Sequence, residues 1–266
     1  MNINAEHVEI GVGVSIGDNV TFSGKHGKRA ERVILGDHVK ILDNVTFALP
    51  SVEIGDYTLI SEHCEISGYK ECVIGSCSWF GRNSILNSHG GLYIGNGVGV
   101  GAYSQLWTHI RFGDTLQGCR FDSVKEMVIE DDVWFVGRCL VSPIHAGKKS
   151  MAMAGSVVTG DMEENHIYAG IPAKDITDKL GNQYEEPTIE EKYNTLMEEY
   201  ERFLAESPAM ADTIYIAREW EPWMNLTNDT IFNVSDRTYT KRNTPEEIAF
   251  MKHLLMPIKF YPKNDY

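Results

Sequence analysis

The chain has 266 residues, 42% of them hydrophobic and 23% charged, and a formal net charge of −14. That is enough for one large domain, or an elongated one with an appendage, and the balance is that of a globular rather than a disordered protein. Two classes are excluded: broad nucleic-acid binding, which relies on neutralising phosphates with Lys and Arg, and membrane-spanning proteins, since no run approaches the roughly 18 apolar residues a span needs.

The start, "MNINAEHVEI", carries neither the basic nor the apolar segment of a secretory leader. Five cysteines without a zinc or disulfide spacing read as free thiols, so a cytoplasmic location is expected. From about residue 8 the sequence repeats: "IGDNVTF", "LGDHVKILDNVTF", "IGDYTLISEHCEI", "IGSCSWFGRNSIL", "IGNGVGVGAYSQL" and "IEDDVWFVGRCLV". Apolar residues recur every six positions, as in Leu35, Ile41 and Phe47 or Ile74, Phe80 and Leu86. Small or β-branched residues such as Val39, Thr58, Ser78, Ser84 and Ser104 favour the fifth place.

Starting points at Ile16, Leu35, Ile54, Ile74 and Ile94 give steps of 19, 19, 20 and 20, so three hexads and a short connector make one turn of a three-sided coil. On an α-helix this period would smear the apolar residues round the circumference, whereas short strands joined by turns send each into a common interior. A parallel β-helix is predicted from about residue 8 to 172. A sandwich would show period-two alternation instead.

His89 follows Ile74 by fifteen residues and His109 follows Ile94 by fifteen, so the two imidazoles are expected at one corner on successive coils, with Tyr69 one coil earlier. The next coil begins late, at Ile129, which predicts a loop insertion over about 110–128 directly after His109. A protruding loop beside a polar ridge is a frequent functional arrangement. Position alone leaves open whether His109 reacts or merely turns the chain.

Two late stretches complete the coil: "VIEDDVWFVGRCLVSP" and "MAGSVVTGDMEENHIYAGIPAKDI". After residue 176 the hexads stop. "EPTIEEKYNTLMEEYERFLAES" predicts a helix with a Thr188–Glu191 capping box and an apolar stripe of Ile189, Tyr193, Met197, Tyr200 and Leu204. Extended runs are read at "TIYIA", "TIFNV", "RTYTK" and "IKFYP", with a second helix capped by Thr244 and opened by Pro245. The expected division is therefore a β-helix over 1–176 and a small α+β module over 177–266. The aromatic "REWEPWMN" in that module reads equally as a binding wall or as packing.

The hexads with these two stretches resemble the hexapeptide-repeat acyltransferases, over about residues 8–176. The resemblance implies a left-handed parallel β-helix, a homotrimer, and acetyl-CoA as co-substrate. It implies transfer of acetyl to a hydroxyl or amine of a small-molecule acceptor, expected to be a sugar or nucleotide-linked sugar used in surface polysaccharide synthesis. His109 matches the family's general base, whose neutral imidazole takes the acceptor's proton during attack on the thioester. Gly137 matches the backbone donor to the oxyanion. Trp134, Ala154, Gly155 and Lys174 match contacts to CoA, with Lys148 and Lys149 as nearby basic charge. Asn83, Asn87 and His89 match acceptor contacts, though asparagine is also a common turn residue. The chain departs from the family pattern at Glu130 and Val136, which stand where glycines are usual, and between Val141 and Ala152, where it is one residue short.

Other chemistries fit less well. Cys119 and Cys139 have no base at local spacing, so no thiol nucleophile is expected. The fold is shared with γ-class carbonic anhydrases, but the position five after His109 is Asp114 rather than a histidine, so no metal is expected. Acetylation of an antibiotic or amino acid, and a β-helical scaffold without catalysis, are the alternatives carried forward.

Overall fold

The computed structural model describes residues 2–207, 213–255 and 257–263. It divides into two units, Met1–Tyr184 and Glu185–Tyr266.

The first unit is a three-sided parallel β-helix. Each coil contributes one short strand to each of three sheets: a first of eight strands starting at Asn2–Ile3, a second of seven starting at Ala5–Ile10, and a third of nine starting at Ser15–Ile16. The hexad is the length of one side plus its corner. Its apolar residue points inward and meets its counterpart one coil on: Leu35, Ile54, Ile74, Ile94 and Ile129 pair in register down the second sheet. Ile41, Ile60, Phe80, Val100 and Phe135 do the same down the third. The Phe22 and Phe47 rings stack with centroids 4.3 Å apart, near the roughly 4.8 Å spacing of hydrogen-bonded strands.

The fifth-place residues lie buried where the sides converge. Only small side chains fit there, and the polar ones bond to backbone: Thr58 Oγ1 donates to Gly75 O at 2.8 Å and Ser84 Oγ to Gly81 O at 2.7 Å. Burial of these hydroxyls is thus compensated. At the corner between the second and third sheets carboxylates take the same part from outside. Asp37 caps the Val12 amide, Asp56 that of Asp37, and Asp131 that of Asn96.

The register corrects one sequence inference. Ile16 pairs with Ile41 on the third sheet, and Leu35 pairs with Ile10, not with Ile16. The true first step, Ile10 to Leu35, is 25 residues, against 19 from Leu35 to Ile54. The surplus leaves the coil as a bulge over 24–29 built round the short helical turn Lys25–Gly27. The second insertion follows His109 as expected: Ile94 pairs with Ile129 across it, and its base is an antiparallel hairpin of His109–Arg111 with Asp122–Val124. Arg111 Nε donates to Asp122 Oδ1 at 2.7 Å within that hairpin. Both insertions leave from the corner between the first and second sheets.

The coil ends where Ala173–Asp175 turns back antiparallel on Ile167–Gly170. The short helix α1 (Thr177–Leu180) follows, and Tyr184 N donates to Asn165 Oδ1 at 2.8 Å. These contacts place the division after Tyr184, later than residue 176, because the chain stays tied to the last coil once the hexads have stopped.

The second unit holds α2 (Ile189–Glu206), α3 (Pro245–Leu254) and a four-stranded sheet. Thr188 and Glu191 form the capping box on α2, and Thr244 caps α3. The buried face of α2 is Leu196, Tyr200 and Phe203; of the expected stripe only Tyr200 lies on it, while Ile189, Tyr193, Met197 and Leu204 stay at least partly exposed. Phe250 of α3 selects that face, with its ring 5.3 Å from Tyr200 and 5.2 Å from Phe203. The buried Glu247 carboxylate accepts from Thr230 Oγ1 at 2.8 Å and from the Arg242 amide at 2.7 Å, which ties α3 to the sheet. Among the described residues no helix is long and apolar enough to cross a membrane.

Candidate functional site

The corner between the first and second sheets carries a ladder of rings. His89 and His109 stack with centroids 4.5 Å apart and planes 28° from parallel. Tyr69 meets His89 edge-on at 4.7 Å, and Trp107 meets His109 edge-on at 5.8 Å. Coil stacking produces this directly, since residues at equivalent positions on successive coils become neighbours. A cleft of about 370 Å³ opens beside the ladder, lined by Lys25, Glu65, Tyr69, Asn87, Trp107 and both histidines among others.

Asn87 sets the state of His109. Its Oδ1 accepts the backbone N–H of His89 at 3.1 Å, which fixes that atom as the oxygen. His109 Nδ1 lies 3.0 Å from the same oxygen and therefore carries the proton and donates it. Nε2 is left as the lone-pair nitrogen, with no partner among the described residues. A neutral imidazole so oriented can accept a proton from a ligand in the cleft. Thr108 braces the arrangement: buried, it donates to Asn87 and accepts from the Gly90 amide at 2.9 Å.

His89 differs in its surroundings. Burial holds its imidazole below the ordinary histidine range; any protonation of His109, and the nearby Arg111 and Lys25, push the same way. It faces the cleft as a neutral donor and acceptor.

The expected acceptor residues thus divide. His89 and Asn87 line the cleft, with Asn87 acting on His109, while Asn83 is not among the lining residues. Asn83 sits at the corner between the third and first sheets with φ of 59°, a left-handed turn position that asparagine tolerates.

The residues expected to hold CoA gather at that other corner. Trp134 lies on the outer face of the third sheet, 41% exposed, its indole over Gly99. A Cβ at Gly99 would meet Trp134 Cδ1 at 2.9 Å, so the glycine is what lets the ring lie flat. Gly137, Ala154 and Gly155 stack at the turn beyond, where Gly155 N donates to Gly137 O at 2.9 Å. The Gly137 N–H itself has no partner among the described residues, a property shared by Ala102 and Arg82 below it. Lys174 is exposed on the added antiparallel strand, three strands from Trp134. Its neighbour Asp175 accepts from His166 Nδ1 at 2.6 Å and from Thr177, and these bonds hold its carboxyl down to about 2. Lys148 and Lys149 fall at the third corner of the prism, between the second and third sheets, and so do not join this group.

Within one chain, then, His109 and Gly137 stand on different corners of the prism, one side apart. A side of five or six extended residues spans roughly 15–20 Å. The small residues and exposed Trp134 fit a long, partly apolar arm, but one copy does not bring them to His109.

Burial pushes the Cys64 thiol up to about 11 and the Cys72 thiol to about 12. Cys139 is buried with its sulfur against the Gly137 and Met153 carbonyls, each at 3.5 Å. Among the described residues no three His, Cys, Asp or Glu side chains converge as a metal site would require.

Lys25, Trp107 and Thr108 were not singled out by the sequence reading. The 25-residue first step was the available signal for the bulge that carries Lys25.

The Asn87 bracing can be tested directly. Asn87→Ala should lower turnover roughly 10–100-fold, as loss of a group orienting a reactive histidine does elsewhere. Asn87→Asp keeps an acceptor for Nδ1 and should retain most activity. Its added negative charge favours the imidazolium, so the acid limb of the pH–rate profile should move to higher pH. Equal activity of wild type and Asn87→Ala would show that the Asn87–His109 hydrogen bond carries no role in turnover.

No family model matches the sequence. Among solved structures the chain is similar to a point mutant of AntD, an N-acyltransferase from Bacillus cereus in complex with dTDP and coenzyme A, at 18% identity and a TM-score of 0.40 over 72% of this chain and 91% of that one. It is similar also to the polysialic acid O-acetyltransferase OatWY, at 14% identity and a TM-score of 0.39 over 71% of this chain and 90% of that one. A third is a maltose O-acetyltransferase from Clostridium difficile 630, at 19% identity and a TM-score of 0.40 over 58% of this chain and 71% of that one. At this level of likeness the site stands on its own residues.

Proposed function

We propose that the protein is an acyltransferase that moves acetyl from acetyl-CoA directly to a hydroxyl or amine of a sugar or nucleotide-linked sugar. The observation that carries this reading is His109: its Nδ1–H is held by Asn87 and its Nε2 is unpartnered at the cleft. Nε2 takes the acceptor's proton as the oxygen or nitrogen attacks the thioester carbonyl. The tetrahedral oxyanion accepts a hydrogen bond from the Gly137 amide, collapses to form the ester or amide, and expels the CoA thiolate, which recovers the proton from His109. No covalent enzyme intermediate is involved.

Because His109 and Gly137 lie on different corners, the Gly137 donor in this reading comes from a second copy of the chain. Copies arranged head to tail round a threefold axis close the ring, with the His109 corner of each copy facing the Gly137 corner of the next. The 110–128 hairpin favours such packing: Phe112, Leu116 and Phe121 are 102%, 90% and 72% exposed on it, and a neighbouring copy would cover them. In the same arrangement Trp134, Ala154, Gly155 and Lys174 hold the acyl donor along the groove.

The test is a panel of sugars, amino sugars and nucleotide sugars incubated with acetyl-CoA and the protein, read by product mass. A gain of one acetyl on an acceptor, dependent on protein, is expected. Acetyl-CoA binding with no acetylated product from any acceptor, including amino acids and aminoglycosides, would favour a scaffold without catalysis.

A further inference from the structure

The two insertions leave the coil at the same corner, and the cleft lies between them. The 24–29 bulge closes one end and the 110–128 hairpin rises from the other. Between bulge and ladder one coil turns through the buried Leu49 and the partly exposed Pro50, and His26 reaches across it to bring Nε2 within 3.0 Å of the Tyr69 hydroxyl. Lys25 beside it is half-buried, lines the cleft, and holds its Nζ 6.0 Å from the centre of the Tyr69 ring. Among the described residues no carboxylate ion-pairs with this ammonium. Lys28 and Arg29, on the same bulge, are exposed and outside the lining.

In a chain of net charge −14 the lining of this cleft carries one ammonium, Lys25, against one carboxylate, Glu65. Besides the His109 ring, the groups that act on His89 are the cations Arg111 and Lys25. Glu65, the single carboxylate among the described lining residues, accepts from Ser67 Oγ at 2.9 Å and so has a partner of its own. The run from His109 over His89 and Tyr69 to Lys25 passes ring spacings of 4.5 and 4.7 Å and then a further 6.0 Å, which is longer than one sugar ring. Tyr69 is 52% exposed, so its ring is open to a ligand lying along the ladder.

Taking His109 as the reacting end, as proposed above, we infer that the acceptor is elongated and anionic. Its reacting hydroxyl or amine sits at His109, a further ring lies along Tyr69, and a carboxylate or phosphate beyond it binds the Lys25 ammonium. A half-buried, unpaired ammonium at the end of an aromatic cleft suits such a group, because a charge-assisted hydrogen bond there is stronger than a neutral one.

Calorimetric titration of the full chain at low salt tests this with four probes. These are trigalacturonate and its carboxyl-reduced neutral counterpart, and UDP-N-acetylglucosamine and free N-acetylglucosamine. Wild type and Lys28→Gln should bind one anionic probe about tenfold more tightly than its neutral counterpart. Lys25→Gln should abolish that preference and leave the neutral probe's affinity unchanged. Preference within the first pair assigns a carboxylate, and within the second a phosphate. Equal binding of charged and neutral probes by wild type, no binding of either anion at millimolar concentration, or a preference that survives Lys25→Gln would overturn the inference. The titration needs no acetyl-CoA, so the two readings fail separately. Acetyl transfer without anion preference removes the subsite alone, and anion preference without transfer to any acceptor removes the transferase alone.

Discussion

Replacing His109 by alanine is expected to slow acyl transfer by roughly 10²–10⁴-fold, the usual contribution of a positioned general base. Acetyl-CoA affinity should stay near wild type, because the removed imidazole acts on the acceptor's proton in the transition state rather than on the bound donor. The loss should appear equally in kcat and kcat/KM, as expected for an interaction made only in the transition state. Added imidazole should restore part of the rate, since the alanine leaves space in a cleft already open to small molecules. Steady-state kinetics with donor and acceptor varied in turn read all of this. A variant with unaltered kcat would leave His109 as a corner residue stacked on His89 and nothing more.

Gly101→Ala should cost the coil about 3 kcal/mol or more, the range of overpacking that backbone cannot relieve. A Cβ there would collide with Val136 O and stand 2.8 Å from Gly137 Cα, both backbone atoms of the next coil. The amides of one coil bond to the carbonyls of the next, as Gly101 N does to Phe135 O at 2.7 Å, so the coils cannot separate at one residue without losing that ladder. The damage should fall on Gly137 as well, whose turn must lift. Gly160→Ala is the matched control: nothing lies within 4 Å of its Cβ position, and a change within about 0.5 kcal/mol is expected. Thermal unfolding of the two variants distinguishes them. Similar melting temperatures would mean that the coil spacing at Gly101 is looser than the register shows.

The β-helix was legible because its period is enforced by geometry. An apolar residue every sixth position has one arrangement that buries all of them, and His89 and His109 inherited their stacking from that arrangement. Ile16 marks the limit of the hexad pattern. Its local pattern matches that of Leu35, but the hexad does not say which of three sheets a strand joins, and the 24–29 bulge shifts the count by one side. The same bulge hid Lys25, since an inserted segment obeys no period. Asn87 was legible as a residue near His109 but not as the group that fixes its tautomer, which depends on a shared oxygen that only coordinates reveal. Gly137 was matched to a role from a local motif, while the distance from His109 follows from the prism's width. A linear pattern does not carry that width.

The acyltransferase account is tested most directly by free-thiol release from acetyl-CoA, measured with an acceptor from the product screen and with wild type beside His109→Ala. The account predicts release that requires the acceptor and falls by at least about a hundredfold in the variant. Release that is independent of acceptor, or equal in the two proteins, would contradict it.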